Sequence, residues 1–159
     1  MIALVVACSK NRVIGNNGRI PWKIPGEQKR FKELTTGHVV VMGRRSYEEI
    51  GKPLPNRTTI VVSKTKEFKG NNCHTVKSLQ EAIRLAGDKD VFISGGARLY
   101  KEAIPLVEKM YITEVGLKIY GDTFFPEFQK ELFNKKIEKV VNGDISYKYI
   151  TYERKCSIN

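Results

Sequence analysis

Histidine, cysteine and tryptophan are scarce in this chain of 159 residues, which has two histidines, three cysteines and one tryptophan. His38 and His74 form no metal-ligand spacing with Cys8, Cys73 or Cys156, so the sequence predicts no metal site. The cysteines are odd in number and far apart in the sequence. That pattern argues against a disulfide framework and favours a reducing compartment, so we expect a cytoplasmic protein.

Long apolar runs and targeting segments are also missing. No run approaches the roughly 20 residues that a membrane span needs. The first residues, MIALVVACSKN, lack a basic start and a small-residue cleavage site, so they predict a strand rather than a signal peptide. The sequence has no low-complexity tract and no internal repeat. Its length suits one folded domain, and we expect a single monomeric domain over residues 1–159.

Acidic residues are too few to balance the basic ones, because 17 Asp plus Glu stand against 28 Lys plus Arg, a net charge of +11. Such a field attracts anions. Composition alone leaves open a nucleic acid, a phosphorylated cofactor, or a solvated basic surface without a specific partner. A nucleic-acid-binding domain would interleave stacking aromatics with its cations. The aromatics here follow strand and helix patterns instead, so we expect no nucleic-acid partner.

Short apolar runs rich in β-branched residues predict most of the strands. They lie at 2–8, 38–43, 58–63, 90–94 and 109–115. Because the first four are apolar almost throughout, they suit a mostly parallel sheet that is buried on both faces. Residues 135–155 alternate apolar and polar around an Asn-Gly-Asp turn, which predicts an antiparallel hairpin at one edge of the sheet.

Helical patterns fill the intervals between these strands. Ser78 is the expected N-cap of the third helix, and Gly87 is its expected stop. Pro25 suits the first position of the first helix. The predicted helices cover 25–35, 44–50, 78–87 and 97–104. The alternation of strands and helices predicts the α/β class.

Two strand ends carry residues that suit phosphate. Gly95–Gly96 follows one strand and opens a helix, where free N–H groups favour an anion. The chain has no G-x-G-x-x-G there, so an ordinary tight turn explains this pair equally well. Arg44, Arg45 and Ser46 begin another helix, where basic residues oppose the helix dipole. A bound phosphate would explain these cations.

The third such strand end carries Ser63 and Lys64. In open α/β sheets, ligands bind outside the carboxyl ends of the strands. Three strand ends with glycine, hydroxyl or cationic groups therefore predict a nucleotide site. The surplus of cations favours NADP over NAD.

Glu27 and Arg57 each allow two interpretations from local sequence. Glu27 shares a helix face with Phe31 and Leu34, so it could reach into a partly apolar pocket and pair with N–H donors of a ligand. It also sits in the first helical turn, where acidic residues are common and usually face water. Arg57 follows KPLPN, and a rigid loop arginine could clamp a carboxylate or simply face solvent.

Together these segments resemble the dihydrofolate reductase family over nearly the whole chain. The motifs that carry the resemblance are VIG…IPW (13–22), MGRRSYEEIGKPLPNR (42–57), ISGGARLY (93–100), YITEV (111–115) and GDTFFP (121–126). A related reductase of riboflavin synthesis is a nearer alternative than a nucleic-acid binder. It would be expected to lack the Glu27–Phe31 pair and the PLPNR clamp.

The resemblance implies a central eight-stranded, mixed and mostly parallel sheet flanked by helices. It also implies reduction of 7,8-dihydrofolate to 5,6,7,8-tetrahydrofolate with NADPH, through hydride transfer to pterin C6 and protonation of N5. Glu27 would accept hydrogen bonds from the pterin ring N–H and 2-amino group, and Thr113 would support it. The implied catalytic residues are Glu27, Thr113, Trp22 and Tyr100. The implied substrate-binding residues are Val5, Val6, Ala7, Glu27, Gln28, Phe31, Ile50, Lys52, Leu54, Arg57, Ser94 and Thr113.

On the same resemblance, the loop 10–24 would act as a lid, with Asn17–Gly18 as its flexible turn, and the Gly95–Gly96 peptide would be cis. Arg44, Arg45, Ser46, Ser63 and Lys64 would surround the adenosine 2′-phosphate. The implied cofactor-binding residues are Ala7, Ile14, Gly15, Gly18, Ile20, Gly43, Arg44, Arg45, Ser46, Val62, Ser63, Lys64, Lys77, Ser94, Gly95, Gly96, Ala97, Arg98, Leu99, Tyr100 and Thr123.

Three positions depart from the common bacterial pattern of the family. Glu27 stands where Asp is usual, Gln28 where an apolar residue is common, and Ser94 where a branched apolar residue usually packs against the bound ring. The GEQ and SGG stretches resemble the branch that confers trimethoprim resistance. Loss of apolar contact at Ser94 would cost roughly 1–2 kcal/mol of inhibitor binding. We therefore expect weak inhibition by trimethoprim.

Overall fold

Ten strands and four α-helices make up the fold in a computed structural model, which describes residues 1–15, 24 and 26–155. The strands are β1 (Ile2–Ser9), β2 (Val13–Gly15), β3 (Val39–Gly43), β4 (Thr58–Val62), β5 (Cys73–Val76), β6 (Val91–Ile93), β7 (Lys109–Val115), β8 (Thr123–Phe124), β9 (Phe133–Val141) and β10 (Tyr147–Arg154). The helices are α1 (Glu27–Thr35), α2 (Arg44–Ile50), α3 (Leu79–Ala86) and α4 (Ala97–Ala103), and a 3-10 turn covers Lys130–Leu132.

Eight strands form one mixed sheet in the order β5-β4-β3-β6-β1-β7-β10-β9. The pairs from β5 to β7 are parallel, and β10 is antiparallel to both β7 and β9. The C-terminal hairpin is therefore present, with a register shift at Tyr149/Ile150. The predicted α/β class, the eight-stranded sheet and the hairpin are confirmed.

The predicted strands are buried as continuous apolar runs should be. Leu4, Val40, Val41 and Ile93 are fully buried, because helices cover the sheet on both faces. The largest core cluster joins β1, β3, β6 and β7 to residues of α3 and α4. This packing holds the carboxyl ends of the parallel strands at one edge of the sheet.

Helix ends follow the local signals where those signals are strong. Ser78 accepts a hydrogen bond from the Glu81 amide at 3.1 Å, and Gly87 ends α3 with a φ of 66°. The first helix begins at Glu27 instead of 25, after Gly26 in the left-handed region at φ 86°. Pro25 lies outside the described residues.

Sequence patterns missed three strands. Strand β5, Cys-His-Thr-Val, lies at the sheet edge and is only partly buried, so it carries no continuous apolar run. Strands β2 and β8 pair only with each other and span three and two residues. Elements this short show no period that a sequence pattern can detect.

Candidate active site

The candidate site lies at the carboxyl ends of the parallel strands, with α1 opposite them. Thr113 on β7 is paired in register with Ala7 on β1, and each residue lies two positions before the carboxyl end of its strand. Across this edge, Phe31 of α1 packs against a cluster that contains Val5, and also against a second cluster beside Leu54. Phe31 is half-buried, so it forms a wall with one side open.

Glu27 projects from the first turn of α1 toward β7. The buried Thr113 hydroxyl lies 3.2 Å from Oε1 and 3.1 Å from Oε2 of the Glu27 carboxylate. Burial raises the pKa of Glu27, while the Thr113 hydrogen bond and the positive charge of Arg30 lower it. The solvent-facing interpretation of Glu27 is therefore wrong, since a half-buried carboxylate with one hydroxyl donor retains acceptor capacity for a ligand.

Arg57 is buried, although sequence left an exposed loop arginine open. Its Nε donates to the Pro55 carbonyl at 3.0 Å, and Nη1 donates to the Thr35 hydroxyl at 3.1 Å. Its guanidinium carbon lies 5.8 Å from the centroid of the Phe31 ring. Desolvation lowers the pKa of Arg57, and no carboxylate pairs with it in the described part of the chain. A carboxylate ligand would supply that missing partner.

The turn between β6 and α4 is tightly packed at Gly95. The Gly95–Gly96 peptide is cis, as the resemblance implies, and the Gly43 amide donates to the Gly95 carbonyl at 2.8 Å. A Cβ on Gly95 would lie 3.3 Å from the Ser46 hydroxyl, at a φ of 115° that favours glycine. Glycines here let the ends of β3 and β6 come together before the start of α4.

Tyr100 anchors α4 to the centre of the sheet. It is buried, its hydroxyl donates to the Val5 carbonyl at 2.7 Å, and burial raises its pKa. Leu99 beside it belongs to the largest core cluster. Ala97 is half-buried and Arg98 is exposed. Of these residues, the exposed start of α4 is thus best placed to meet a ligand.

Basic residues surround the ends of β3 and β4. Arg44 pairs with Glu48 at 3.4 Å, and Lys66 pairs with the other oxygen of Glu48 at 3.5 Å. The Ser63 hydroxyl accepts from the Lys66 amide at 3.1 Å. The remaining expected cations are exposed: Arg45, Lys64 and Lys77. Sequence reasoning missed Lys66, although it lies two residues beyond Lys64 in VVSKTK.

The other expected residues lie around this edge with different exposure. Val5 and Val6 are buried, whereas Ala7, Val62 and Ser94 are half-buried. Gln28 and Lys52 are exposed, and Ile50 is 40% exposed. On the short second sheet, Gly15 pairs with Thr123 and the half-buried Ile14 packs against the main core. Asn17, Gly18, Ile20, Trp22 and most of the expected lid lie outside the described residues, as does Cys156.

In the described ranges, no group of three or more His, Cys, Asp or Glu side chains could hold a metal ion. Cys8 and Cys73 are free thiols and both are buried, and burial raises the pKa of Cys8 to about 12. None of the helices in the described part of the chain is both long and apolar enough to cross a membrane.

A half-buried carboxylate, a buried arginine without a carboxylate partner among the described residues, and clustered cations lie at the strand ends of an open α/β sheet. This arrangement is typical of an enzyme that holds a nucleotide cofactor beside a small substrate. Comparison with known proteins gives the family. The family model described as dihydrofolate reductase matches residues 1–154. The chain belongs to the dihydrofolate reductase family and is an oxidoreductase that reduces 7,8-dihydrofolate to 5,6,7,8-tetrahydrofolate with NADPH.

Individual relatives agree over almost their full lengths. Dihydrofolate reductase type A13 from Escherichia coli is 40% identical over 156 residues, which cover 97% of this chain and 94% of that protein. The Bacillus subtilis enzyme is 35% identical over 99% of this chain and 96% of its own. The structure of the Enterococcus faecalis enzyme complexed with NADP(H) and RAB-propyl superposes with a TM-score of 0.89 and 33% identity, covering 98% of this chain and 97% of that chain.

Proposed function

We propose that Glu27 binds and polarises the pterin ring of dihydrofolate, within a single domain over residues 1–159 that works as a cytoplasmic monomer. The observation that carries this role is the half-buried Glu27 carboxylate with Thr113 as its hydroxyl donor. Its two oxygens accept hydrogen bonds from the pterin ring N–H and 2-amino group. Because both donors sit side by side, a carboxylate matches them in a bidentate manner.

The protein's part in the reaction is orientation and electrostatics. Bound NADPH supplies the hydride that pterin C6 receives. Glu27 does not touch N5, so its charge polarises the ring and water delivers the proton to N5. Thr113 holds the carboxylate in place, and Phe31 and Leu54 flank the aminobenzoyl part. We assign the remaining substrate contacts to Val5, Val6, Ala7, Gln28, Ile50, Lys52 and Ser94.

Arg57 is proposed to hold the α-carboxylate of the glutamate tail. It is buried, rigidly held by two hydrogen bonds, and lacks an acidic partner in the described residues. A buried guanidinium gains most from a bidentate anion, because the anion repays part of its desolvation. The centroid of the Phe31 ring lies 5.8 Å from the Arg57 guanidinium carbon, which suits a ring between the glutamate tail and the pterin.

The cofactor is proposed to lie across the ends of β3, β4 and β6. The side-chain-free Gly43, Gly95 and Gly96 suit close approach of the pyrophosphate to the backbone. Arg44, Arg45, Ser46, Ser63 and Lys64 suit the adenosine 2′-phosphate, with Lys77 nearby. Ala7, Ile14, Gly15 and Thr123 would meet the nicotinamide half. Gly18 and Ile20 stay proposed as cofactor-binding residues and Trp22 as a catalytic residue, and all three lie outside the described ranges.

The decisive experiment follows NADPH oxidation with dihydrofolate for the purified protein, Glu27→Gln and Glu33→Gln. Glu33 lies on the same helix, is exposed and pairs with Lys29, so it is a matched control. We expect Glu27→Gln to stay folded and lose most activity at neutral pH. Activity should partly recover in acid, where the solvent protonates N5 more readily. Unchanged turnover of Glu27→Gln at neutral pH would reject the assigned role.

Weak inhibition by trimethoprim is a second proposal for this site. Ser94 follows β6 directly, is half-buried, and donates its amide to the Val41 carbonyl at 2.9 Å. A serine there offers less apolar area to an inhibitor ring than a branched residue would. We expect Ser94→Ile to tighten trimethoprim inhibition by roughly 5- to 30-fold, since 1–2 kcal/mol corresponds to that range. Tight inhibition of the unaltered protein would refute this.

A further inference from the structure

Arg30 lies one turn beyond Glu27 on α1, and none of the roles above uses it. Its guanidinium carbon stands 3.9 Å from the centroid of the Tyr149 ring on β10. This is a close cation–π stack, which fixes a side chain that would otherwise sample many rotamers. Residues three apart on a helix share a face, so Arg30 and Glu27 approach the same end of the sheet.

Tyr149, the stacking partner of Arg30, is linked to the Glu27 carboxylate through Thr113. Tyr149 is paired in register with Thr113 across β10 and β7, so the two side chains lie on one face of the sheet. Thr113 in turn contacts both carboxylate oxygens of Glu27. Thr113 therefore contacts the Glu27 carboxylate, and its strand neighbour Tyr149 holds the Arg30 guanidinium.

Among the described residues, the phenols of Tyr149 and Tyr100 also experience the charge of Glu27. Tyr147 and Tyr149 lie on β10, and Tyr100 lies on α4. Burial and nearby Glu27 raise the pKa of Tyr149 to about 12, and burial raises the pKa of Tyr100 as well. Glu114 and Lys148 are the strand neighbours of Thr113 and Tyr149, and they point to the opposite face.

In the described part of the chain, Arg30 is therefore the cation whose charge acts on Glu27. Both hydrogen bonds described for the Glu27 carboxylate come from Thr113, so Arg30 acts across space rather than through a direct bond. Its positive charge opposes the effect of burial on Glu27. A mobile arginine on a helix surface would be solvated and screened, whereas one stacked on a ring keeps its distance and direction.

We propose that Arg30 is a positioning residue for the reaction: stacked on Tyr149, it places a fixed positive charge on the Glu27 side of the pocket and favours the ionised form of that carboxylate. This inference rests on the proposed role of Glu27 as the pterin-binding group. An ionised carboxylate accepts both pterin donors, whereas a protonated one presents an O–H that faces a donor. Arg30 would thus widen the pH range over which the pocket binds its substrate.

The first measurement titrates the Glu27 carboxyl by ¹³C NMR, with Glu27→Gln used to assign its resonance. We compare the unaltered protein with Arg30→Met, which keeps length and removes charge. Lys32→Met is the matched control, because Lys32 is an exposed cation on the same helix. The titration midpoint of Glu27 should rise in Arg30→Met, stay in place in Lys32→Met, and return toward its original position in Arg30→Lys.

The second measurement follows folate binding against pH in the same proteins, by quenching of intrinsic fluorescence. Near pH 8 the Arg30→Met protein should bind folate about as well as the unaltered protein. Near pH 5 it should bind about threefold less tightly, because more of its Glu27 is protonated. Titration of folate itself cancels when the dissociation constant of Arg30→Met is divided by that of the unaltered protein at the same pH. A purely structural defect would weaken binding equally at every pH.

The outcomes separate this proposal from the role of Glu27. An unchanged Glu27 midpoint in Arg30→Met, or a pH-independent loss of folate binding, would overturn the role of Arg30 alone. Folate binding by Glu27→Gln equal to that of the unaltered protein would instead remove the role of Glu27. If Arg30→Met does not fold, Tyr149→Leu serves in its place. It removes the ring, keeps the charge, and should raise the Glu27 midpoint through loss of positioning.

Discussion

Glu27 and Thr113 are 86 residues apart in the chain, yet the Thr113 hydroxyl oxygen lies 3.1 Å and 3.2 Å from the two Glu27 carboxylate oxygens. The hydroxyl has one proton, so it donates to one oxygen at a time and can exchange between them. This contact joins α1 to the centre of the sheet. It also leaves most of the acceptor capacity of the carboxylate for a ligand.

Removing the Thr113 hydroxyl should reduce the ability of the Glu27 carboxylate to bind the substrate. The hydrogen bond lowers the pKa of Glu27, so Thr113→Val should raise that pKa and leave less ionised carboxylate. We expect about a tenfold loss of kcat/KM for dihydrofolate at neutral pH, in line with a hydrogen bond to a charged group. Thr113→Ser retains the hydroxyl and should lose little. Steady-state kinetics decides this, and equal losses for both variants would contradict it.

Glu27 should cost the protein stability at neutral pH. Burial raises its pKa above the ordinary carboxyl value, so the folded state holds the proton more tightly than the unfolded chain. The free energy of unfolding therefore falls as the pH rises from the pKa of Glu27 in the unfolded chain through its higher pKa in the folded protein. Below both pKa values Glu27 is protonated in both states and costs no stability. Glu27→Gln should unfold at higher temperature than the unaltered protein at pH 7 but not at pH 4. Glu33→Gln should show no such difference.

Arg57→Met should raise KM for dihydrofolate and change kcat little. A bidentate guanidinium–carboxylate contact to the glutamate tail predicts an increase of roughly 10- to 100-fold. Dihydropteroate lacks that glutamate, so the variant and the unaltered protein should use it equally well. Equal loss on both substrates would show that Arg57 acts on the pocket shape instead. Arg84→Met, on the exposed surface of α3, is the control.

The Glu48 carboxylate should weaken the binding of NADPH. It pairs with Arg44 at 3.4 Å and with Lys66 at 3.5 Å, and thus neutralises part of the cationic cluster. Glu48→Gln should improve kcat/KM for NADPH about two- to threefold, more so at low salt. Arg45→Gln should lower it about tenfold and leave NADH unaffected. A parallel change with both cofactors would place these residues away from the 2′-phosphate.

Gly121→Ala should disturb the junction between β2 and the chain before β8. A Cβ at Gly121 would overlap the Val13 side chain and lie 2.8 Å from the Gly15 carbonyl oxygen. Overpacking of this kind costs about 1–3 kcal/mol of unfolding free energy. In Gly143→Ala the nearest atom to the new Cβ, the Ile145 oxygen, is 3.9 Å away, so that variant is the control. Thermal unfolding of both variants tests this, and equal midpoints would contradict it.

The agreement between sequence and fold was best where one element carries its own signal. The N-cap at Ser78 and the stop at Gly87 are local contacts within α3, so residue identity was sufficient to predict them. Strand β5 was missed because its pairing with β4 at the sheet edge, rather than its own apolar content, makes it a strand. In the same way, Lys66 lies beside Arg44 because both pair with Glu48 on α2, which its own sequence neighbours do not indicate.

By itself, the sequence determined the α/β class, the main strands and helices, and, through its motifs, the family and cofactor. Buried runs and caps are local, and so they can be read in order along the chain. Only the tertiary structure decided which polar residues are buried. From local sequence, Glu27 could have been a solvated residue at a helix start and Arg57 an exposed loop cation. Which interpretation holds depends on neighbours that distant segments of the chain supply. Thr113, Thr35 and Phe31 supply those neighbours, and burial beside them gives Glu27 and Arg57 the surroundings on which the proposed substrate pocket rests.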